Sequence, residues 1–134
     1  NRGQIYDTLF FVIRDVTDLH VYKNALELLP SVYDLANQIP ERHRKLRGQI
    51  IECGEAIPAH IAEGFGKKRS EKEFKRFLEM GMGTSDEMIT HVQVAKILSL
   101  RIKSIDKKLC DFLIDRYKVE SKQLQQLIKN WKKY

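Results

Sequence analysis

Residues 70–95 read SEKEFKRFLEMGMGTSDEMITHVQVA. Ser70, followed three residues later by Glu73, is a capping box: a hydroxyl for the orphan N–H groups of a first helical turn, and a carboxylate placed to reach back. From there Phe74, Phe77, Leu78, Gly81, Ser85, Met88, Val92 and Ala95 recur at three- and four-residue spacing. That is one apolar stripe along a helix of roughly seven turns. A stripe so long has to be buried against other helices. The small residues Gly81, Gly83 and Ser85 predict a close approach by one of them, with Met80, Met82 and Met88 as adaptable gap-fillers around it.

The same spacing continues on both sides. Upstream, Leu46, Ile50, Cys53, Ile57 and Ile61 predict a second helix beginning near 41–44. Pro58 kinks it, and Gly64 and Gly66 end it with a left-handed cap. Earlier still, Leu19, Tyr22, Ala25, Leu26, Leu29, Val32, Tyr33, Ala36 and Ile39 mark a first helix with Asp18 as N-cap. Pro30 predicts either a kink or two shorter helices breaking near Leu29, and Pro40 closes the segment. Downstream of a linker around 101–104, Ile105, Leu109, Phe112, Leu113, Leu124, Leu127, Ile128 and Trp131 mark a fourth helix. It is thin in apolar residues from Tyr117 to Lys122, where fraying, bending or solvent contact is expected. Short connections imply antiparallel neighbours. The fold class is therefore all-α, an up-down-up-down four-helix bundle over residues 18–134, preceded by an N-terminal arm at 1–17.

Composition agrees. The chain has 134 residues, 43% apolar and 31% charged, with 7 Gly and 3 Pro, which leaves few turns. Its longest apolar run, Leu9 to Ile13, is far short of the ~20 residues of a membrane span. Cys53 and Cys110 lie within helical patterns and form no paired motif, which suits buried thiols in a reducing cytoplasm. The net charge of +6 is uneven: residues 1–67 hold 8 Lys/Arg against 9 Asp/Glu, residues 68–134 hold 16 against 9.

A bundle that holds two metals needs Glu residues from two helices and Glu-x-x-His motifs from two more. Here Glu52, Glu55 and Glu63 accompany His60 in the reverse order, Glu87 and His91 stand at i, i+4, and the fourth helix offers no partner. The motif is incomplete, so Glu87 and His91 read as a surface or interface pair, and neither metal nor cofactor is expected. Gly64 and Gly66 follow a helix rather than a strand, which fails the context of a nucleotide loop. Ser70 is used as a cap, and no nucleophile stands with a base.

The basic residues are the functional lead. Arg42, Arg44, Lys45 and Arg47 open the second helix. Lys67, Lys68 and Arg69 fill the next loop, and Lys72, Lys75 and Arg76 continue onto the third helix, diluted by Glu71 and Glu73. In an antiparallel pair the two groups lie at opposite ends. Such charge binds phosphate backbones by counterion release, without sequence preference. The tail from Lys129 to Tyr134 interleaves lysines with Trp131 and Tyr134, as a stacking surface does, although a core Trp131 with a charged tail explains it equally.

Residues 46–66, LRGQIIECGEAIPAHIAEGFG, resemble the four helix bundle protein family, which includes proteins encoded in intervening sequences of bacterial 23S rRNA genes. Ser70, Glu73, Phe74, Arg76, Phe77 and Leu78 follow the family's S-x-x-E-F-x-R-F-L, and Gly83 to Glu87 its G-S-x-x-E. Asp18 to Tyr22 with Ala25 follows its opening. The resemblance spans about residues 18–100. It implies a homo-oligomer, commonly a pentamer, and kinship with basic accessory proteins of diversity-generating retroelements, which bind nucleic acid and a reverse transcriptase. It implies no enzymatic activity. The leading expectation is thus a non-enzymatic cytoplasmic scaffold, with RNA or DNA and copies of itself as partners and no membrane. A module that docks a larger enzyme such as a reverse transcriptase is the alternative, and a ferritin-like metal enzyme the third reading.

Overall fold

The computed structural model describes residues 13–131. The expected arm falls largely on residues 1–12, outside the described residues, as do Lys132, Lys133 and Tyr134 of the tail. Five helices follow in order: α1 (His20–Glu27), α2 (Leu29–Gln38), α3 (Arg44–Gly66), α4 (Glu71–Leu98) and α5 (Lys107–Asn130). Single 3-10 turns at Val16–Asp18 and Glu41–His43 precede α1 and α3, and the described residues contain no strand. α1 and α2 form one rod broken at Leu28, the second of the two outcomes Pro30 allowed. Pro30 sits in the first turn of α2, where a missing N–H costs nothing. The four rods make the expected four-helix bundle.

Cross-contacts fix the packing. Cys53 meets Glu87, and Gly64 faces Phe77, so α3 and α4 diverge from their shared turn as antiparallel neighbours. Ser85 with Tyr117, Lys96 with Asp111, and Phe74 with Trp131 do the same for α4 and α5. Asn24 with Gln123 joins the first rod to α5, and Tyr33 with Glu55 joins it to α3. The whole stripe predicted for α4 is buried, Phe74, Leu78, Met88, Val92 and Ala95 completely. Trp131 is core, stacked edge-on against Phe74 at 4.7 Å.

Several local expectations are corrected. Asp18 does not cap α1. Its carboxylate accepts the N–H groups of Arg14 and Asp15 at 2.9 and 3.0 Å, tying the preceding turn, and the N-cap is Leu19. The capping box at Ser70 is half formed: Ser70 Oγ accepts from Glu73 N at 3.2 Å, but the Glu73 carboxylate turns to Arg76. No described residue has a positive φ, so Gly64 and Gly66 are not left-handed caps. α3 ends instead on Lys67 (φ −107°, ψ 17°). Gly64 is required for proximity: a Cβ there would lie 2.7 Å from Phe77 Cβ and 3.3 Å from the Phe74 carbonyl. The close approach assigned to Gly81 and Gly83 therefore belongs to Gly64, since a Cβ at Gly81 would meet its neighbours only at 3.8 Å and Gly83 faces open space.

α5 departs most. Ile105 lies before the helix, and Asp106 caps it, accepting Lys108 N at 2.9 Å. The segment from Tyr117 to Lys122 neither frays nor breaks. Tyr117 and Glu120 are buried at 0% and 1% exposure, whereas Phe112, assigned to the core, is 47% exposed. The buried face is Cys110, Leu113, Ile114, Tyr117, Glu120, Leu124 and Leu127. A tyrosine and a glutamate occupy the positions where apolar residues were missing.

Candidate nucleic-acid interface

The two predicted basic groups lie at opposite ends of α3, whose 23 residues span about 34 Å. At the end nearer the α3–α4 turn, Lys67, Lys68, Arg69 and Lys72 are exposed, but much of the charge is engaged. Lys75 pairs with Glu71 at 2.9 Å and Arg76 with Glu73 at 3.0 Å. Arg76 and Lys67 lie over the Phe77 ring at 4.5 and 5.5 Å, and Lys68 lies over Phe65 at 4.2 Å. These cations cover the aromatic end of the core with their stems, and Glu71 and Glu73 dilute the patch as their sequence positions implied.

The other end is different. Arg47 pairs with Glu41 at 2.8 Å and reaches the Ile39 carbonyl, which pins the α2–α3 corner. Arg42, Arg44 and Lys45 are exposed and make no ion pair among the described residues. The fold then adds what sequence order hides. Ser104 Oγ donates to the Gln38 carbonyl at 2.7 Å, and Asp106 N donates to Gln38 Oε1 at 2.8 Å. These bonds dock the α4–α5 linker beside the α2–α3 corner. Arg101, Lys103, Lys107 and Lys108, all exposed, therefore join Arg42, Arg44 and Lys45 at one end. Residues 41–47 and 96–111 together carry nine Lys/Arg against three Asp/Glu. Of the three acids, Glu41 and Asp111 are in ion pairs and Asp106 is a helix cap. α3 and α5 begin here while α2 and α4 end here, so the partial charges of the helix termini offset one another and the positive field comes from the side chains. Sequence order does not place the linker cations at this end, because they lie about 60 residues from Arg42; the charge excess of the second half is their one signal.

The di-metal arrangement is not assembled. Glu52, Glu55 and Glu63 are exposed, and Glu55 accepts the Tyr33 hydroxyl at 2.7 Å. Glu87 and His91 form the expected i, i+4 pair at 3.2 Å, and the buried Cys53 thiol donates to the same Glu87 oxygen at 3.2 Å. That thiol is no nucleophile, because burial and the neighbouring carboxylate push its pKa up to about 12.

Polar groups also cross the core. Ser85 Oγ donates to the Tyr117 carbonyl at 3.0 Å and accepts from Ser121 Oγ at 2.8 Å. So Ser85 is more than a small packing residue. Neither carboxylate oxygen of Glu120 has a hydrogen-bond partner among the described residues, and burial raises its pKa to about 8. Glu120 borders a cavity of about 320 Å³ lined also by Asn24, Glu27, Leu28, Phe112 and Arg116.

Among protein-family models, that of the 23S rRNA-intervening sequence protein matches residues 17–129. No curated protein matches the chain.

Proposed function

The chain belongs to the 23S rRNA-intervening sequence protein family, and from that premise we propose that it is a non-enzymatic, homo-oligomeric scaffold that binds RNA or DNA through phosphate contacts. The observation that carries this is the end at which Arg42, Arg44, Lys45, Arg101, Lys103, Lys107 and Lys108 converge with few acids beside them. Phosphates there meet exposed cations on a short, rigid framework, whereas most of the cations around Lys67–Arg76 are held on glutamates and aromatic rings. Self-association is supported by Val94, Ile97 and Leu100, which are 41%, 65% and 78% exposed near the same end. Apolar side chains so exposed are what a second copy would cover. By the family resemblance the assembly has five subunits, which would multiply the basic ends and hence the avidity for one polyanion. It acts in the cytoplasm, and no helix among the described residues is long and apolar enough to cross a membrane.

The test is binding of labelled RNA and DNA of mixed sequence across a salt series. Affinity falls steeply from low to physiological salt, with a log–log slope of about −0.9 per phosphate contact on duplex. Replacing Arg42, Arg44 and Lys45 by Ala reduces that slope by about 2–3. The matched triple at Lys67, Lys68 and Lys72 reduces it less. Salt-independent binding, or none at low salt, overturns the proposal. The exposed Ile97 and Leu100 also favour a second reading, docking onto a larger enzyme such as a reverse transcriptase. In that case reversing the basic charges leaves docking intact, and replacing the two apolar residues by Ser abolishes it.

A further inference from the structure

The most informative cluster outside the basic end lies on the seam between α3 and α4. Cys53 comes from α3, and Glu87 and His91 lie one turn apart on α4, so that three different donor types meet. Cys53 Sγ and Glu87 Oε2 are 3.2 Å apart, Glu87 Oε2 and His91 Nε2 are 3.2 Å apart, and all three donor atoms lie within 4.8 Å of one another. In tetrahedral zinc sites, bonds of about 2.0–2.3 Å place neighbouring donors roughly 3.3–3.6 Å apart. Two sides of the triangle are within a few tenths of an ångström of that length, and the third needs to close by no more than about 1.5 Å.

We propose that Cys53, Glu87 and His91 form a binding site for one borderline divalent transition-metal ion, of the Zn²⁺ or Co²⁺ class, with the fourth coordination position open to water.

The donor set is a soft thiolate, an imidazole and a carboxylate, which suits zinc and its congeners and not the all-oxygen preference of Mg²⁺ or Ca²⁺. Charge supports it too. A thiolate and a carboxylate neutralise a 2+ ion, with His91 neutral, so the buried sulfur carries no uncompensated charge. Access is available: the Glu87 side chain is 60% exposed and that of His91 15%, while Cys53 lies beneath them. Without the ion, the thiol proton occupies the shared position and is donated to Glu87 Oε2. Binding breaks that S–H bond, forms the metal–sulfur bond and releases one proton to solvent. Cys110 supplies an internal control, since it is equally buried but belongs to no such donor cluster.

The experiment uses reduced, chelator-treated protein titrated anaerobically with Co²⁺. The expected result is one ion per chain, a thiolate-to-cobalt charge-transfer band with the visible bands of a tetrahedral ion, and displacement by one equivalent of Zn²⁺. Cys110→Ser keeps the spectrum, and Cys53→Ser loses the charge-transfer band. Glu87→Gln, at an exposed side chain, and His91→Gln, at a largely covered one, leave the helix content intact and weaken binding tenfold or more. They decide the matter even where Cys53→Ser fails to fold. No saturable uptake, uptake without a thiolate band, or a band that survives Cys53→Ser overturns the site. Nucleic-acid affinity measured on the same samples stands or falls separately.

Discussion

Glu120→Gln raises stability at neutral pH and leaves it unchanged in acid. The carboxyl of Glu120 is 1% exposed, with neither oxygen hydrogen-bonded among the described residues. Burial raises its pKa from 4.5 to about 8, opposed by the charge of Arg116 on its own helix. Glu27 and Asn24 on α1 line the adjoining cavity. The sign follows from proton counting. Between pH 4.5 and about 8 the folded state keeps a proton that the unfolded chain has released, so stability falls as pH rises through this window. The slope approaches 1.4 kcal/mol per pH unit, and the loss at pH 7 is about 3 kcal/mol. Below pH 4 both states are protonated and the loss vanishes; above pH 8 it levels off. Glutamine has nearly the same shape and no proton to lose. Urea unfolding followed by circular dichroism at pH 4, 5.5, 7 and 8.5, at one protein concentration, should show the variant gaining progressively on the parent. At pH 7 the gain corresponds to roughly 10 °C in Tm. A gain independent of pH, or a variant less stable at pH 7 than at pH 4 relative to the parent, would refute the assignment of Glu120 as a buried, neutral acid.

Two glycines on facing helices behave oppositely when given a methyl group. Gly64→Ala costs about 1–3 kcal/mol, because its Cβ would meet Phe77 Cβ at 2.7 Å on the tightest part of the α3–α4 seam. Gly81→Ala, with contacts no closer than 3.8 Å, gains up to about 1 kcal/mol from helix propensity; chemical denaturation midpoints separate the two. Replacing Ser85 and Ser121 together by Ala removes a donor and its partner at once, so the loss stays near 1 kcal/mol. The single Ser85→Ala costs more, because Ser121 Oγ then loses its acceptor in a partly buried place.

The bundle was legible in the sequence because apolar spacing is a local property. The α4 stripe is buried residue for residue, and Pro30 and Pro40 bound α2. Sequence and structure part where a local signal has two physical outcomes. Gly64 and Gly66 stand at the end of α3, where glycine serves a left-handed cap or a close contact, and only the position of Phe77 decides between them. Tyr117 and Glu120 looked like a polar interruption of α5 because a buried glutamate is rare enough that polarity usually means solvent. Half of the basic end was missed for a different reason. Nothing near Arg101 or Lys103 indicates that Gln38 accepts from their linker, and this long-range contact, not composition, places them beside Arg42.

The polar residues of the core also bear on how the bundle chooses one register. Aliphatic layers of isoleucine, leucine and valine select a register by shape alone, as does the contact of Gly64 with Phe77. The layer of Cys53, Ser85, Tyr117, Glu120 and Ser121 is not interchangeable. A one-turn shift of α5 against α4 separates Ser85 from the Tyr117 carbonyl and from Ser121, and it moves Glu120 away from its cavity. The shift leaves Ser85 Oγ buried without a partner, at about 1–3 kcal/mol. Slipped pairings are thereby penalised by more than an apolar layer could impose. If Glu120 lowers stability at neutral pH by about 3 kcal/mol, and its removal from the cavity also penalises slipped pairings, the same residue costs stability and favours one register. The Glu120→Gln variant tests the first effect alone, since an amide of the same shape preserves the second. Replacement by Leu removes both, so that variant should be more stable than the parent at pH 7 yet show broadened or duplicated amide resonances on α5. A Leu variant with a single sharp set of α5 resonances would mean that apolar shape alone selects the register.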